Sequence, residues 1–560
     1  MPSGAEAAST TKTQSNSPNG EAGDKKIARI ERIEWIVAVL LSAVILFLLI
    51  ARMTHAGPLD RDESDSLQLA RMPRFSDVLE NLQYTAFPIL FPTTLRTYTT
   101  LFGTSDTSLR FFGFAVGLLL LGVVWLYSRK VNREVPLLLP ALIGLNASFL
   151  TTGGWVRGYG LGSVFVIVAF VLTAQLLLRP SANGLAAVLL AYLASMQLLF
   201  FNGVLVAVMA VAGAAAFLAN GERRWMWLLL CLVAICGLSY LPYLLIIVFR
   251  VSNWAKVIYL SAPFGTEWHQ FLSACGGLHV AVSAAWLGVV LIVLFGAMWR
   301  LGVVGSAERA RERGVLIFGS IVIPVSALAY YAFMRMARNT PHEHHYLALI
   351  CLIAAVTDLM VVNFSKCDSV RLVRVVIVAA AICTLPFVVW SRICERQSNI
   401  DIVAARLEKD ARPSDLIVVN PWWLGISFNH YYHGKNRWIT VPEISDHRIH
   451  RYDLLQAKMV AFFPLSDVEQ EIAAGLKSGN RVWIVGGIRL KQPDGLPTVL
   501  APAPDPEVGW QNNAYTAVWA YQLGHLIRQH AGKLDEVLSK DRSVREWENV
   551  WLLAAEGWRY

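Results

Sequence analysis

The stretch LRFFGFAVGLLLLGVVWLYSRK, residues 109–130, sets the fold class. After Arg110 it holds no charged residue until Arg129 and Lys130. About 20 apolar residues, coiled as a helix, cross the hydrocarbon core of a bilayer. The run therefore predicts a membrane span stopped by cations. Working outward by the same rule, about eleven such stretches are expected. They fall at roughly 34–52, 109–128, 134–152, 159–178, 184–200, 202–219, 225–249, 280–300, 314–334, 345–364 and 370–391. Composition points the same way. Of 560 residues, 55% are hydrophobic and 16% charged, against about 25% charged in a soluble protein. A chain this poor in charge has most of its length facing lipid.

The cations fix an orientation. Lys25, Lys26, Arg29 and Arg32 precede the first span, and Arg129, Lys130 and Arg133 follow the second. Arg179, then Arg223 and Arg224, then Arg300, Arg309, Arg311 and Arg313, then Lys366, Arg371 and Arg374 follow the fourth, sixth, eighth and tenth. All lie on one side if every stretch crosses, and an excess of Lys and Arg marks the cytoplasmic side. The N-terminus is then inside. The first external loop, 53–108, and everything after residue 391 are outside, which in a bacterium means a multi-pass inner-membrane protein with a periplasmic C-terminal domain. The net charge of +9 is explained by this topology. No basic stripe interleaved with aromatics suggests nucleic acid.

Three regions are expected: a disordered cytoplasmic segment 1–33, too polar to bury a core, a transmembrane domain 34–395, and an α/β domain 396–560. In the last, Asp415-Leu416-Ile417-Val418-Val419 and Arg481-Val482-Trp483-Ile484-Val485 read as strands, and 466–476 as an amphipathic helix. Within the first loop, 61–80 reads as helical and Phe87-Pro88-Ile89-Leu90-Phe91-Pro92 as helix lying on the membrane surface. Seven cysteines are present, with no spacing that suggests a zinc site or a disulfide framework.

Several charged and polar residues stand out at the outer rim, where the cations go against the charge bias. Asp60, Asp62, Glu63 and Asp65 open the first loop; of these, Asp60 and Asp65 read as solvated. Arg157 and Tyr159 open one span, Arg335 and Arg338 close another, and Lys256 lies in the loop before the eighth. Rim cations usually have a partner, and a lipid phosphate is one. His342-Glu343-His344-His345 lacks the i, i+4 spacing of helical zinc ligands, so no metal set is assigned there. Trp254, Tyr259, Trp268 and Phe271 read as interfacial anchors.

The run from Arg61 to Met72, followed by Phe87 to Lys130, resembles the start of the membrane glycosyltransferases of the C fold. Within them it is most like the bacterial branch related to protein O-mannosyltransferases and lipid A aminoarabinose transferases. Asp62-Glu63 matches the family's early acidic pair, and Phe87-Pro88, Leu101-Phe102-Gly103 and Arg110 match elements that follow it. ARPSDLIVVNPWW, 411–423, and YYHGKNRW, 431–438, are similar to the start of the family's external domain. The chain departs from the pattern at Phe87, usually His, at Trp155-Val156 before Arg157-Gly158-Tyr159, where an acid often stands, and at His345-Tyr346 in place of Arg-Tyr.

The resemblance implies an inverting glycosyltransferase. It would move a sugar from a polyprenyl-phosphate-linked donor to a hydroxyl on a glycan, lipid or protein acceptor, at the outer membrane face. Such a reaction needs a carboxylate base for the acceptor proton and cations for the leaving phosphate. Asp62 is the expected base, with Glu63 second. Arg157, Tyr159, Lys256, Arg335, Arg338, His345 and Tyr346 are the expected phosphate or sugar contacts. No cofactor is called for, although a divalent metal is compatible. Two other classes compete: a transporter or flippase of lipid-linked sugars, and a catalytically degenerate scaffold. A transporter usually carries internal repeats and mid-membrane ionisable residues; the sequence shows no repeat, and its conspicuous charges sit at the rim.

Overall fold

The computed structural model describes residues 18–132, 134–258, 263–277, 279–303, 310–338, 341–364 and 367–560. Arg133, Tyr259, Arg309 and Lys366, and the first part of the polar N-terminal segment, lie outside them. The chain is a polytopic, mainly α-helical membrane protein carrying a C-terminal α/β domain.

All of the expected apolar stretches are helical. Among the described residues, 9 helices are long and apolar enough to cross a membrane. The other two stretches differ. Residues 182–198 form a shorter apolar helix. Residues 134–152 form two short helices, Leu138–Gly144 and Ala147–Thr152. Asn146 makes the break: its side chain accepts from Phe149 N, and its amide donates to the carbonyls of Ala274 and Cys275, both at 2.9 Å. Such capping satisfies backbone groups that an interrupted helix exposes. The first helix, Pro18–His55, begins inside the segment expected to be disordered. Extending a helix already nucleated by an apolar span is easier than starting one.

Leu347–Phe364 runs through the middle of the bundle, buried along nearly its whole length. Gly158–Leu178 packs beside it, and the first span packs against the last, Asp368–Cys394. At one end of the bundle, buried Glu34 accepts from Arg371 and Arg374 at 2.5 and 2.8 Å, and Arg374 also reaches Glu134 at 2.5 Å. Arg129 lies over the Trp35 ring at 5.0 Å. Arg129, Arg371 and Arg374, from two of the cation-rich loops, thus gather at one end of the bundle, away from the first long loop.

That loop contains three helices, Arg61–Ala70, Phe75–Asn81 and Leu90–Phe102. The C-terminal domain settles on it. Its sheet has the order β2-β1-β3-β5-β4, with β1 Leu416–Asn420, β2 Trp438–Thr440, β3 Val482–Gly486, β4 Ala531–Leu538 and β5 Leu552–Trp558. β1 pairs in parallel with β2 and β3, and β5 pairs antiparallel with β3 and β4. β1 and β3 are buried throughout. Alternate residues face Ile472, Trp519 and Leu523 on one side and Val403, Leu407 and Phe428 on the other, which is why both strands read as unbroken apolar runs.

Candidate active site

The helix Arg61–Ala70 carries the first two candidate residues. Asp60 caps it: Oδ1 accepts from Glu63 N at 2.9 Å, while Glu63 Oε2 accepts from Asp60 N at 3.2 Å. This capping box starts a helix whose acidic residues then diverge, because successive residues point about 100° apart.

Glu63 turns inward and is wholly buried. Both its oxygens take the Arg110 guanidinium, at 2.6 and 3.0 Å, and Oε1 also accepts from Val156 N at 2.9 Å. Arg110 further donates to the Gly57 and Pro58 carbonyls. Glu63 thereby ties the loop, the head of the second span and the turn before Gly158–Leu178 together. Behind this pair is a crevice walled by Leu49, Arg52, Arg110, Phe114, Trp155 and Gln397. Asp62 is not one of its walls.

Asp62 turns outward and keeps 31% of its side chain exposed. Arg157 Nη1 meets its Oδ2 at 2.7 Å. Burial works to raise the Asp62 pKa, but the Arg157 guanidinium, helped by Arg61, outweighs it and holds the carboxyl well below the usual carboxylate range. Arg157 stands at the N-terminal end of Gly158–Leu178, so the positive end of that helix adds to the same field. Its guanidinium lies 5.2 Å from the Phe87 ring and 5.3 Å from the Tyr159 ring, and those two rings meet edge-on at 5.1 Å. Phe87, where the family usually has His, therefore forms one wall of the arginine's slot.

Close backbone approach makes the slot. A Cβ on Gly160 would sit 1.8 Å from the Gly153 carbonyl oxygen. Only glycine lets the turn at 153–158 fold back on the first turn of the helix.

The remaining expected residues are dispersed. His345 is buried, 5.8 Å from Tyr159 ring to ring, and its Nδ1 accepts from His342 N at 3.1 Å. Tyr346 is buried against Phe271 and Tyr330. Lys256 lies over the Trp510 ring at 4.1 Å, on the C-terminal domain. Arg335 pairs with Glu267 at 2.9 Å. Arg338 is exposed in a turn at φ 49°. Arg157 thus joins Asp62 to Tyr159, and His345 meets the same Tyr159 ring. Among the described residues, no group of three or more His, Cys, Asp or Glu is placed to hold a metal ion.

The expectation of solvated Asp60 and Asp65 is overturned, because the C-terminal domain covers them. Asp65 is 4% exposed. Its Oδ1 accepts from His450 N at 2.8 Å and from His450 Nδ1 at 3.0 Å. His450 Nε2 faces Asp62 Oδ1 at 3.7 Å. Burial and the Glu63 and Asp62 charges push Asp60 up to about 7. Burial and the Asp60 charge push Glu548 up to about 8, although it accepts from Arg61 N at 2.6 Å. Tyr431 also docks the domain, donating to Asp106 at 2.7 Å and accepting from Leu59 N at 2.6 Å.

The sequence reading missed His450 and Glu548; the Trp423 ring lies under Arg61 at 5.3 Å. Trp254, read as an anchor, is buried in a ring cluster with Tyr84 and Tyr452, and Tyr452 stacks on His450 at 5.5 Å.

No family model and no curated protein matches the chain. Among solved structures it is similar to ArnT from Cupriavidus metallidurans in the apo state, with 13% identity and TM-score 0.49, over 86% of this chain and 98% of that one. It is also similar to the same protein bound to undecaprenyl phosphate, with 13% identity and TM-score 0.41, over 93% and 98%. A third likeness is to the Archaeoglobus fulgidus oligosaccharyltransferase, with 10% identity and TM-score 0.45, over 89% and 72%. These are membrane glycosyltransferases of the C fold, the family that the run from Arg61 to Lys130 resembles.

Proposed function

We propose that the chain is an inverting glycosyltransferase that moves a sugar from a polyprenyl-phosphate donor to an acceptor hydroxyl. The site faces the outer side of the cytoplasmic membrane, with the N-terminus inside. Asp62 is the general base, and Arg157, backed by Tyr159 and the helix end, is the cation nearest the leaving phosphate.

The observation that carries this reading is the Asp62–Arg157 contact of 2.7 Å at the mouth of a span, with Asp62 part-exposed. An ionised carboxylate beside a fixed guanidinium at a membrane rim suits both halves of the reaction. The carboxylate takes the acceptor proton as the new bond forms. The guanidinium opposes the charge that grows on phosphate as the old bond breaks. Glu63 is committed to Arg110 and serves as a brace. The acceptor is a glycan, lipid or protein, and membrane lipid surrounds the donor. Among the described residues no set argues for a resident metal, and divalent dependence is read from the same assay with chelator present.

The test uses purified full-length protein and a panel of synthetic undecaprenyl-phosphate hexoses and pentoses. Release of undecaprenyl phosphate that is lost in Asp62→Asn supports the proposal. Movement of intact lipid-sugar across vesicles without release points to a transporter, and neither activity on any probe points to a scaffold.

A further inference from the structure

The C-terminal domain inserts one imidazole between two carboxylates of the Arg61–Ala70 helix. His450 is 7% exposed. Its Nδ1 lies 3.0 Å from Asp65 Oδ1, and its Nε2 lies 3.7 Å from Asp62 Oδ1. An ionised carboxylate only accepts hydrogen bonds, so Nδ1 carries the hydrogen shared with Asp65. In neutral imidazole that leaves the lone pair on Nε2, facing Asp62. The ring is held from three sides. Asp65 Oδ1 also takes the His450 backbone N–H at 2.8 Å, Tyr452 stacks on the imidazole at 5.5 Å, and Trp422 meets it edge-on at 6.1 Å.

We propose that His450 is the proton-accepting partner of Asp62, so that the C-terminal domain completes the catalytic apparatus and does more than cover it. This rests on the glycosyltransferase reading above. The acceptor O–H bond breaks and its proton goes to an Asp62 oxygen. The hydroxyl oxygen's electron pair forms the new bond to the anomeric carbon. The bond from that carbon to the donor phosphate breaks, and its electron pair stays on phosphate. Protonated Asp62 then donates to His450 Nε2, and the imidazolium, flanked by Asp65, later gives the proton to water.

Two observations favour a relay over a bystander. Asp62 is held so firmly as a carboxylate that it is a poor place to keep a proton. A second acceptor beside it removes that bottleneck, since proton transfer works best between groups of suited basicity. The separation of 3.7 Å is longer than a charge-assisted hydrogen bond of about 2.7–2.9 Å. The gap closes once Asp62 becomes a donor. Catalytic hydrogen bonds are often long before substrate arrives.

The variant that separates relay from scaffold is His450→Asn. Its amide N–H can still reach Asp65, but it offers no base toward Asp62. With full-length protein and the undecaprenyl-phosphate sugar that the native chain turns over, kcat is expected to fall roughly 100-fold. KM for the lipid and binding of undecaprenyl phosphate stay within about twofold. Native kcat in His450→Asn overturns the proposal, as does a fall in kcat matched by lost lipid binding. Should the variant not fold, His450→Gln, whose longer amide can also reach Asp65 but offers no base toward Asp62, is read in the same way, and native kcat in it overturns the relay. Asp62→Asn keeps the failures apart. If it too has native activity, the proposed base is wrong; if it is dead while His450→Asn is fully active, only the relay is.

Discussion

Glu63 grips Arg110 with both carboxylate oxygens, at 2.6 and 3.0 Å, one residue along from the part-exposed Asp62. Two adjacent acids on one helix thus have opposite fates, and they should fail in opposite ways when removed.

Glu63→Ala leaves the Arg110 charge buried without its partner. Breaking a buried pair from one side costs about 3–5 kcal/mol, so thermal unfolding in detergent should drop sharply and little assembled protein should be recovered. Asp62→Asn keeps an oxygen for Arg157 and should unfold within about 1 kcal/mol of the native chain, while losing turnover. Equal melting of Glu63→Ala and native protein would remove the brace.

Arg157 keeps Asp62 ionised, and Arg157→Gln withdraws that charge. The Asp62 pKa, lowered in the native protein, should rise. Activity that needs the carboxylate should then fade as pH falls, where the native enzyme shows no loss attributable to Asp62. The check is a pH–rate profile of lipid-phosphate release from about pH 5 to 8. An acid limb unchanged by the substitution would count against Arg157 as the partner.

Glu548 and Asp60 are held up at about 8 and about 7, above their ordinary values near 4. The folded protein therefore binds protons that the unfolded chain releases. Stability is fullest below about pH 4 for this pair and declines as pH rises through 7 to 8. Glu548→Gln keeps the acceptor for Arg61 N and removes one titration. It should match the native chain near pH 5 and exceed it at pH 8 by on the order of 1–3 kcal/mol. Identical pH–stability curves for the two would speak against it.

Gly160→Ala places a methyl where the Gly153 carbonyl oxygen now lies, 1.8 Å away. Overpacking of this kind costs about 1–3 kcal/mol or more, and the displaced turn is the one that aims Arg157. Melting temperature and turnover should both fall. Retained turnover would mean that the slot tolerates a shifted turn.

Much of this was legible beforehand, and the gaps have physical causes. Long apolar runs and alternating cations are strong signals because a bilayer imposes length and side on every segment. The short helix 182–198 and the break at Asn146 escaped, since one buried side chain can end a helix without altering the hydropathy around it. Asp62 and Glu63 stood out by order and location, but nothing local tells which of two adjacent acids turns inward. That is decided by Arg110, 47 positions on. Lys256 and Arg335 looked free because their partners, Trp510 and Glu267, belong to other segments. His450 lies in an ordinary polar stretch, and it gains meaning only when a separate domain lands on the Arg61–Ala70 helix.

The bond from Arg61 N to Glu548 joins residues 487 positions apart, and it bears on how the protein is made. The acidic helix leaves the ribosome well before the segment that covers it. A nascent chain therefore holds Asp62 without its imidazole neighbour until His450 has been made and the domain has folded onto the helix.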